Sequence, residues 1–288
     1  MPEPWLRARR AVPLSAAGSA LRGGARERPV RRAFHAGDPP RRPPPRRGRR
    51  TGGGLVSTYV FLGPTGHGVP RSLLDPPETT IRPPARRGDV AALLAASSGP
   101  PGEIVVVDGR FGDVLAVGHR EILAALAAGW TVWGLASMGA IRAAELRDHG
   151  MKGFGTVYRR FVEDMPPDDE VAVLHGPGPD YRPLSEALVD LRAFLDHLVD
   201  ARILPPDPAR EVEAALAGRW FGERTLRAFV DLCGEAAGPE VSRSVRRELP
   251  ALPRYRLKSA DLRAFFAAEG GPLRSPRRDT PRQGDPSS

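Results

Sequence analysis

Three residues that together could carry out acyl transfer each follow a predicted strand or begin a predicted helix. Ser137 lies at a tight turn between a strand and a helix, His119 begins a helix, and Asp108 follows a run of apolar residues. A hydroxyl, an imidazole and a carboxylate are the nucleophile, the base and the orienting group of serine hydrolases. The residue types therefore predict a catalytic trio, provided that the fold brings Ser137, His119 and Asp108 together.

The turn at Ser137 contains half of the nucleophile-elbow motif Gly-x-Ser-x-Gly, because Gly139 matches while Leu135 replaces the first glycine. The amides that begin the following helix would then serve as an oxyanion hole. Each member of the trio also has a structural alternative. Ser137 would be an ordinary helix N-cap, His119 a buried histidine paired with a carboxylate, and Asp108 a turn residue.

Further polar residues near these turns indicate how a ligand would be held. Arg142 and Glu145 are three residues apart on the helix after Ser137, so they form either an i,i+3 pair or a site in which Arg142 holds an anion. The loop at residues 63–68 lacks the Gly-Lys-Ser/Thr ending of a phosphate loop, which gives nucleotide binding little support. The acidic run 168–170 predicts a hard-cation site or, more often, a solvated loop. We therefore expect no cofactor and no metal.

Strands and helices alternate along residues 55–182. The predicted strands are Thr58–Leu62, Glu78–Arg82, Glu103–Val107 and Thr131–Leu135, with a further β-like run at Glu170–His175. The predicted helices are Val90–Ala96 (capped by Asp89), Gly118–Ala128 and Met138–His149. Such alternation predicts an α/β core with a parallel sheet flanked by helices.

The remaining segments differ in pattern from this core. From residue 183 leucines recur at steps of three and four, which predicts an amphipathic helix over Ser185–Ala201 and a helical subdomain over 183–269. Residues 1–54 hold fourteen arginines against three acidic residues, with many prolines and glycines, so we expect a disordered basic tail. Residues 270–288 are similarly expected to be a flexible tail.

Composition excludes several classes of protein. The net charge is +9, from 43 basic and 34 acidic residues, but the excess lies in the N-terminal tail, so nucleic-acid binding is not expected of the folded part. The single cysteine, Cys233, excludes a disulfide framework and suits a reducing cytoplasm, which is the expected location. No stretch approaches about 18 apolar residues, so we expect no membrane span.

Taken together, the motifs resemble the TfuA-like core family over roughly residues 57–230. The longest shared segment is Gly134-x-Ala136-Ser137-Met138-Gly139-Ala140-Ile141-Arg142-Ala143-Ala144-Glu145-Leu146. The other shared segments are Gly63-Pro64-Thr65, Pro83-Pro84 with Gly88-Asp89, Asp108-Gly109-x-Phe111, His119-x-Glu121-Ile122-Leu123, Gly150-Met151-x-Gly153-x-Gly155 and Asp168-Asp169-Glu170.

The resemblance implies a function in peptide backbone thioamidation. TfuA-like proteins accompany YcaO enzymes, and their proposed activity is to release sulfide from a thiocarboxylated, ubiquitin-like sulfur-carrier protein. The implied partners are therefore a YcaO enzyme, the sulfur carrier and the precursor peptide, and the implied reaction is hydrolysis of an acyl-sulfur bond. We expect substrate binding by residues of the shared segments, namely Arg142, Glu145, Gly63, Thr65, Gly139 and Glu121.

Two other functions are compatible with the same residues. In the first, the protein is a non-catalytic adaptor, and Ser137 and Arg142 form a binding pocket for the carrier's Gly-Gly tail or for YcaO. In the second, the protein is a serine hydrolase of small esters.

Overall fold

A five-stranded parallel sheet forms the centre of the protein. The computed structural model describes residues 57–267 except 75, 77, 111 and 113, all within one unit, Gly53–Ser288. The strands are β1 (Thr58–Phe61), β2 (Thr79–Arg82), β3 (Glu103–Val106), β4 (Thr131–Leu135) and β5 (Lys152–Phe154). Their order across the sheet is β2-β1-β3-β4-β5. The predicted fold class is confirmed, whereas the predicted tails, 1–54 and 270–288, lie outside the described residues.

The strand order places a topological switch point between β1 and β3. From β1 the chain moves outward to β2, and from β3 it moves the other way to β4 and β5. In open parallel sheets, ligands bind beyond the carboxyl ends of the strands at such a point, because the loops there diverge to opposite faces. The loops after β1, β3 and β4 are therefore the first place to look for a site.

Helices cover both faces of the sheet. Those of the first half are α1 (Arg71–Leu74), α2 (Asp89–Ala96), α3 (His119–Ala127), α4 (Met138–Glu145) and α5 (Gly155–Glu163). Ile104 and Val106 of β3 face a core that includes Ile122 and Ile141, whereas Val105 faces the opposite core. The continuous apolar run of β3 is thus buried on both faces, as the sequence predicted.

The C-terminal part is helical. It consists of α6 (Leu188–Asp200), α7 (Pro206–Ala217), α8 (Leu226–Ala237), α9 (Pro239–Glu248) and α10 (Leu257–Ala267). Helices α6 to α9 share their own apolar cluster, whereas Leu262 and Phe265 of α10 return to the sheet. In the described part of the chain, no helix has both the length and the apolar character needed to cross a membrane.

Two predicted elements differ from the structure. Helix α6 begins at Leu188 rather than Ser185, because the Ser185 hydroxyl accepts a hydrogen bond from the Leu174 amide at 2.8 Å instead of capping a helix. The run Glu170–His175 is not a strand. Its first residues close a short 3₁₀ turn, Asp168–Val171, in which the buried Glu170 forms an ion pair with Arg192.

Candidate functional site

Asp108 joins the loop after β1 to the end of β3 at the switch point. Its Oδ2 accepts hydrogen bonds from the amides of Gly63 at 2.8 Å and Thr65 at 3.0 Å, and its Oδ1 accepts one from Thr65 Oγ1 at 2.6 Å. The side chain is 1% exposed. Asp108 therefore orients the β1 loop and not His119, which corrects its predicted position in the trio. Gly63 and Thr65 are predicted to bind substrate, but in the structure they donate these hydrogen bonds to Asp108.

The turn at Ser137 is as sharp as the half motif predicts. The Ser137 amide donates to the Leu135 carbonyl at 2.7 Å, and Ala136 between them takes φ 63°. A three-residue turn with a positive φ at its centre is rare and strained, and for a residue other than glycine it costs on the order of 1–3 kcal/mol. The strain sits next to the candidate nucleophile.

Glycines allow helix α4 to lie directly against the sheet. A Cβ on Gly139 would lie 1.7 Å from the Val106 carbonyl oxygen, and one on Gly134 would lie 2.1 Å from the Gly139 oxygen. The Gly139 amide donates to the Val107 carbonyl at 3.2 Å. Gly139, predicted to bind substrate, is therefore required for close packing, and its amide is already used.

These bonds limit the predicted oxyanion hole. The amides of Ser137, Gly139 and Ala140 all donate to backbone carbonyls at this turn. Among the described residues, the Met138 amide is the one at the start of α4 without such an acceptor. An oxyanion hole here would rest on a single helix amide and not on a pair.

The Ser137 hydroxyl is held weakly. It donates to the Val171 carbonyl across 3.5 Å, at the outer limit of a hydrogen bond, and the residue is 7% exposed. Ser137 precedes α4, yet its side chain caps no amide of that helix. The predicted N-cap alternative is therefore wrong, because the Ser137 hydroxyl makes no hydrogen bond to α4.

His119 belongs to a separate cluster. Its Nε2 lies 2.7 Å from Glu145 Oε2, and Arg142 donates to the same oxygen at 2.5 Å. Arg142 also donates to the Val117 carbonyl at 3.0 Å. Burial alone would raise the pKa of Glu145, but the hydrogen bonds from His119 and Arg142 outweigh it and lower that pKa. The cluster confirms the i,i+3 pair of Arg142 and Glu145, whereas the predicted pairing of His119 with Ser137 does not occur.

Glu121 caps two helices. Its carboxylate accepts hydrogen bonds from the Gly118 amide at the start of α3 and from the Gly88, Val90 and Ala91 amides at the start of α2. Helix α2 is therefore capped by a residue about thirty positions further along the chain, and not by Asp89 as predicted. The carboxylate predicted to bind substrate is already occupied by backbone amides.

Two of the three carboxylates in the acidic run 168–170 are also occupied. Asp169 pairs with Arg224, a fully buried guanidinium that additionally donates to the Asp169 carbonyl at 2.7 Å. Glu170 pairs with Arg192 and Arg160. Within residues 57–267, apart from the four positions left undescribed, no group of three metal-binding side chains comes together. Asp169 and Glu170 therefore neither form a cation site nor lie in a solvated loop, because their carboxylates bind arginines, whereas Asp168 is exposed.

A pocket of about 360 Å³ lies beyond the carboxyl ends of β1, β3 and β4. The polar residues that line it are Asp108, Arg110, Ser137, Asp168 and His175, and the apolar ones include Met138, Ile141, Val171 and Trp220. Burial raises the pKa of Asp168, and the charges of Glu145 and Asp169 raise it further against the opposing effect of Arg142. Ser137 thus opens onto a largely apolar pocket at the switch point, and His119 does not line it.

His175 is the residue of this pocket that the sequence did not reveal. Its Nδ1 lies 2.7 Å from the Gly176 carbonyl oxygen, which can only accept, so Nδ1 carries the proton. In the neutral ring Nε2 then carries a lone pair. The residue type is its only signal in the sequence, because the surrounding run predicts a strand.

Hydrogen bonds from other parts of the chain fix the pocket wall that contains His175. The Lys258 ammonium, 3% exposed, donates to the Val171 carbonyl at 2.7 Å, the same oxygen that accepts from Ser137. The Leu184 amide donates to the Leu174 carbonyl at 2.7 Å. Helix α10, far along the chain, therefore helps to set the distance between this wall and α4.

Comparison with known families matches part of the chain. A family model described as TfuA-like protein matches residues 108–225. That stretch contains Asp108, His119, Ser137 and His175, whereas Lys258 lies outside it. No curated protein matches the chain. The resemblance read from the sequence is confirmed over the matched residues.

Proposed function

We propose that this TfuA-like protein is an accessory of a YcaO enzyme in peptide backbone thioamidation, and that it hydrolyses a thiocarboxylated sulfur-carrier protein to supply sulfide. The observation that supports hydrolysis is the position of Ser137. Its hydroxyl lies at a strained turn on the wall of a pocket and does not cap the helix that follows. The proposal places the protein in the cytoplasm and involves no membrane and no nucleic acid.

The pocket suits the end of a chain better than a folded surface. A volume of about 360 Å³ admits a few small residues and the terminal thiocarboxylate, with apolar walls on most sides. The folded body of the carrier would remain outside. Trp220, which is 56% exposed, lies at this pocket and offers an apolar contact for the carrier.

The reaction needs a nucleophile and water. The Ser137 oxygen attacks the thiocarboxylate carbon and forms an ester while the carbon–sulfur bond breaks, and the serine proton leaves with sulfur as HS⁻. Water then cleaves the ester, which restores the hydroxyl and gives a carboxylate and a proton. The Met138 amide is the available donor for the oxyanion.

A non-catalytic adaptor is the second candidate. The His119, Arg142 and Glu145 cluster supports it, because this cluster lies outside the pocket lining and its His119 and Glu145 side chains are 50% and 39% exposed. Charged side chains held at a surface are suited to contact a protein partner. In this case the protein would bring YcaO, its peptide or the carrier together without hydrolysis.

One assay separates the two candidates. A ubiquitin-like carrier is converted to its C-terminal thiocarboxylate by sulfide cleavage of an intein fusion, and sulfide release is measured with purified protein and no YcaO. Hydrolysis predicts release that falls by 10²–10⁴ in Ser137→Ala and partly persists in Ser137→Cys. An adaptor predicts background release in all three proteins, together with YcaO turnover that weakens in Arg142→Ala.

A further inference from the structure

We propose that a second pocket, separate from the one that contains Ser137, binds a small organic phosphate. This pocket has a volume of about 370 Å³ and lies at the carboxyl ends of β1 and β2. Its lining comes from the loop after β1, from α1, from the end of β2 and from the segment 179–181. A cavity of this size is in the range of small-molecule sites. The inference goes beyond the proposed function and does not depend on it.

The second pocket is distinct from the Ser137 pocket. Among the described residues, none lines both. The loop after β1 separates them, since Pro64 lines the Ser137 pocket whereas Gly63 and Gly66 line the second one. A ligand in the second pocket therefore leaves the Ser137 pocket open to a substrate.

The lining of the second pocket has an excess of positive charge. It contains two arginines, Arg71 and Arg82, and the exposed imidazole of His67. Asp180 is the single carboxylate among the described residues that line it. Neither arginine forms an ion pair with another described residue. A concave surface with uncompensated positive charge attracts anions.

Arg82 is the arginine best placed to hold an anion. Its guanidinium carbon lies 5.2 Å from the centroid of the Tyr59 ring, so a cation–π contact holds one face of the guanidinium. Its Nε is buried and has no hydrogen-bond acceptor among the described residues. A buried donor without an acceptor is unfavourable, and the oxygens of a phosphate or a carboxylate match the donors of a guanidinium. An anionic ligand would supply the acceptors that the protein does not.

The remaining walls favour an organic body beside the anionic group. The apolar side chains that line the pocket are Leu62, Val69, Leu74 and Ile81. The Tyr181 ring adds an aromatic surface, and its residue takes φ 44°, a left-handed conformation that is rare for an aromatic residue. A phosphate monoester carries close to two negative charges at neutral pH, which suits two arginines better than the single charge of a carboxylate. The ligand class is therefore a phosphate ester with a small apolar or planar body.

Three probes test this ligand class on the full chain: phenyl phosphate, inorganic phosphate and benzoate. Their dissociation constants are measured by titration calorimetry at two temperatures. We expect phenyl phosphate to bind at least about tenfold more tightly than either of the others, because it alone combines two charges with an apolar body. Equal affinity for benzoate would overturn the phosphate, and equal affinity for inorganic phosphate would overturn the organic body. Absence of binding of phenyl phosphate at about 10 mM would overturn the site.

Variants test where phenyl phosphate binds. We expect Arg82→Gln to weaken binding by about tenfold or more and Arg71→Gln by about threefold, whereas Asp180→Asn should tighten it severalfold because the opposing carboxylate is removed. Arg110→Gln is the matched control, since Arg110 lines the Ser137 pocket, and it should keep wild-type affinity.

Wild-type affinity in a folded Arg82→Gln protein, or a loss confined to Arg110→Gln, would overturn the assignment. If Arg82→Gln does not fold, the variants at the exposed positions Arg71 and Asp180 decide, and unchanged affinity in both would overturn the site. Sulfide release enters none of these measurements. Their outcome is therefore separate from that of the proposed function.

Discussion

Asp108 and Thr65 are joined by two hydrogen bonds across the switch point, one to the Thr65 amide and one to its hydroxyl. The residues come from loops that follow different strands, 43 positions apart in sequence. The carboxylate therefore fixes the first loop of the sheet against the third strand, and one wall of the pocket depends on this contact.

We expect Asp108→Asn to lower the free energy of unfolding by about 2 kcal/mol, because the Gly63 and Thr65 amides lose a charged acceptor and the Thr65 hydroxyl can no longer donate to this side chain if the amide oxygen accepts from both backbone amides. Urea denaturation of Asp108→Asn, Thr65→Val and the double variant measures this. The double variant should cost less than the sum of the two, since the residues share one contact. If Asp108→Asn instead kept wild-type stability and lost sulfide release, Asp108 would be assigned a catalytic role.

Glu121→Ala should destabilise the protein by about 3 kcal/mol, because four amides at two helix starts lose a charged acceptor. Glu163→Ala, at an exposed position of α5, is the matched control and should change stability by less than about 0.5 kcal/mol. The KM for the thiocarboxylated carrier should stay at its wild-type value in both. A raised KM in Glu121→Ala without a stability loss would contradict the capping assignment.

Gly139→Ala should prevent native packing of α4, because the new methyl group would meet a backbone oxygen at 1.7 Å and neither partner can move freely. We expect a loss above about 3 kcal/mol or no soluble protein at all. Gly218→Ala at the end of α7, whose nearest atom would be 3.6 Å away, should be neutral or gain up to about 1 kcal/mol. Thermal melting of the two variants is the comparison, and equal midpoints would show that α4 can shift.

Burial raises the pKa of Asp190 to about 6. The charge of Lys258 opposes this rise, and the charge of Glu186 adds to it. The folded protein thus binds a proton that the unfolded chain releases at lower pH. Stability from this group is complete below about pH 4 and is lost as pH rises towards 6, by roughly 3 kcal/mol in total. Urea denaturation between pH 4 and pH 7 should show a shallower fall in Asp190→Asn than in the wild type. Parallel profiles would contradict the raised pKa.

Cys233 should be unreactive in the native protein, since it is fully buried and burial raises the pKa of its thiol to about 12. A maleimide should label it after unfolding and not before. Ser137→Cys offers an internal comparison, because its new thiol lines an open pocket and should be labelled in the folded state. Rapid labelling of the native wild type would show that α8 opens readily.

The regular strands and helices can be predicted from the sequence. Apolar stripes at steps of three and four indicate a helix, and short β-branched runs indicate a strand. Strand β5 was missed because Lys152-Gly153-Phe154 is too short to show any period. The run Glu170–His175 is apolar and rich in valine like a strand, yet Glu170 pairs with Arg192 and the His175 ring contacts the Gly176 carbonyl. No local pattern distinguishes these cases.

The candidate site was predictable in part. Ser137 and Asp108 were found because both end a predicted strand, and the ends of parallel strands share one edge of the sheet. The rest of the site was not, since His119 faces Glu145 and His175, which lines the same pocket as Ser137, lies on an irregular segment. Lys258 lies 87 positions from the carbonyl it contacts. Contacts over such separations depend on the packing of α6 and α10, which periodicity does not encode.

The return of α10 to the sheet has a consequence during synthesis of the protein. Leu262 and Phe265 cover the sheet face that contains Val60, Val105 and Leu135. At ribosomal rates of about 5–20 residues per second, the roughly one hundred residues from β5 to α10 take on the order of 5–20 s to emerge. For that interval the nascent chain presents an uncovered apolar face. We expect its yield in cells to depend on chaperones that bind such faces, and on α10 being translated intact.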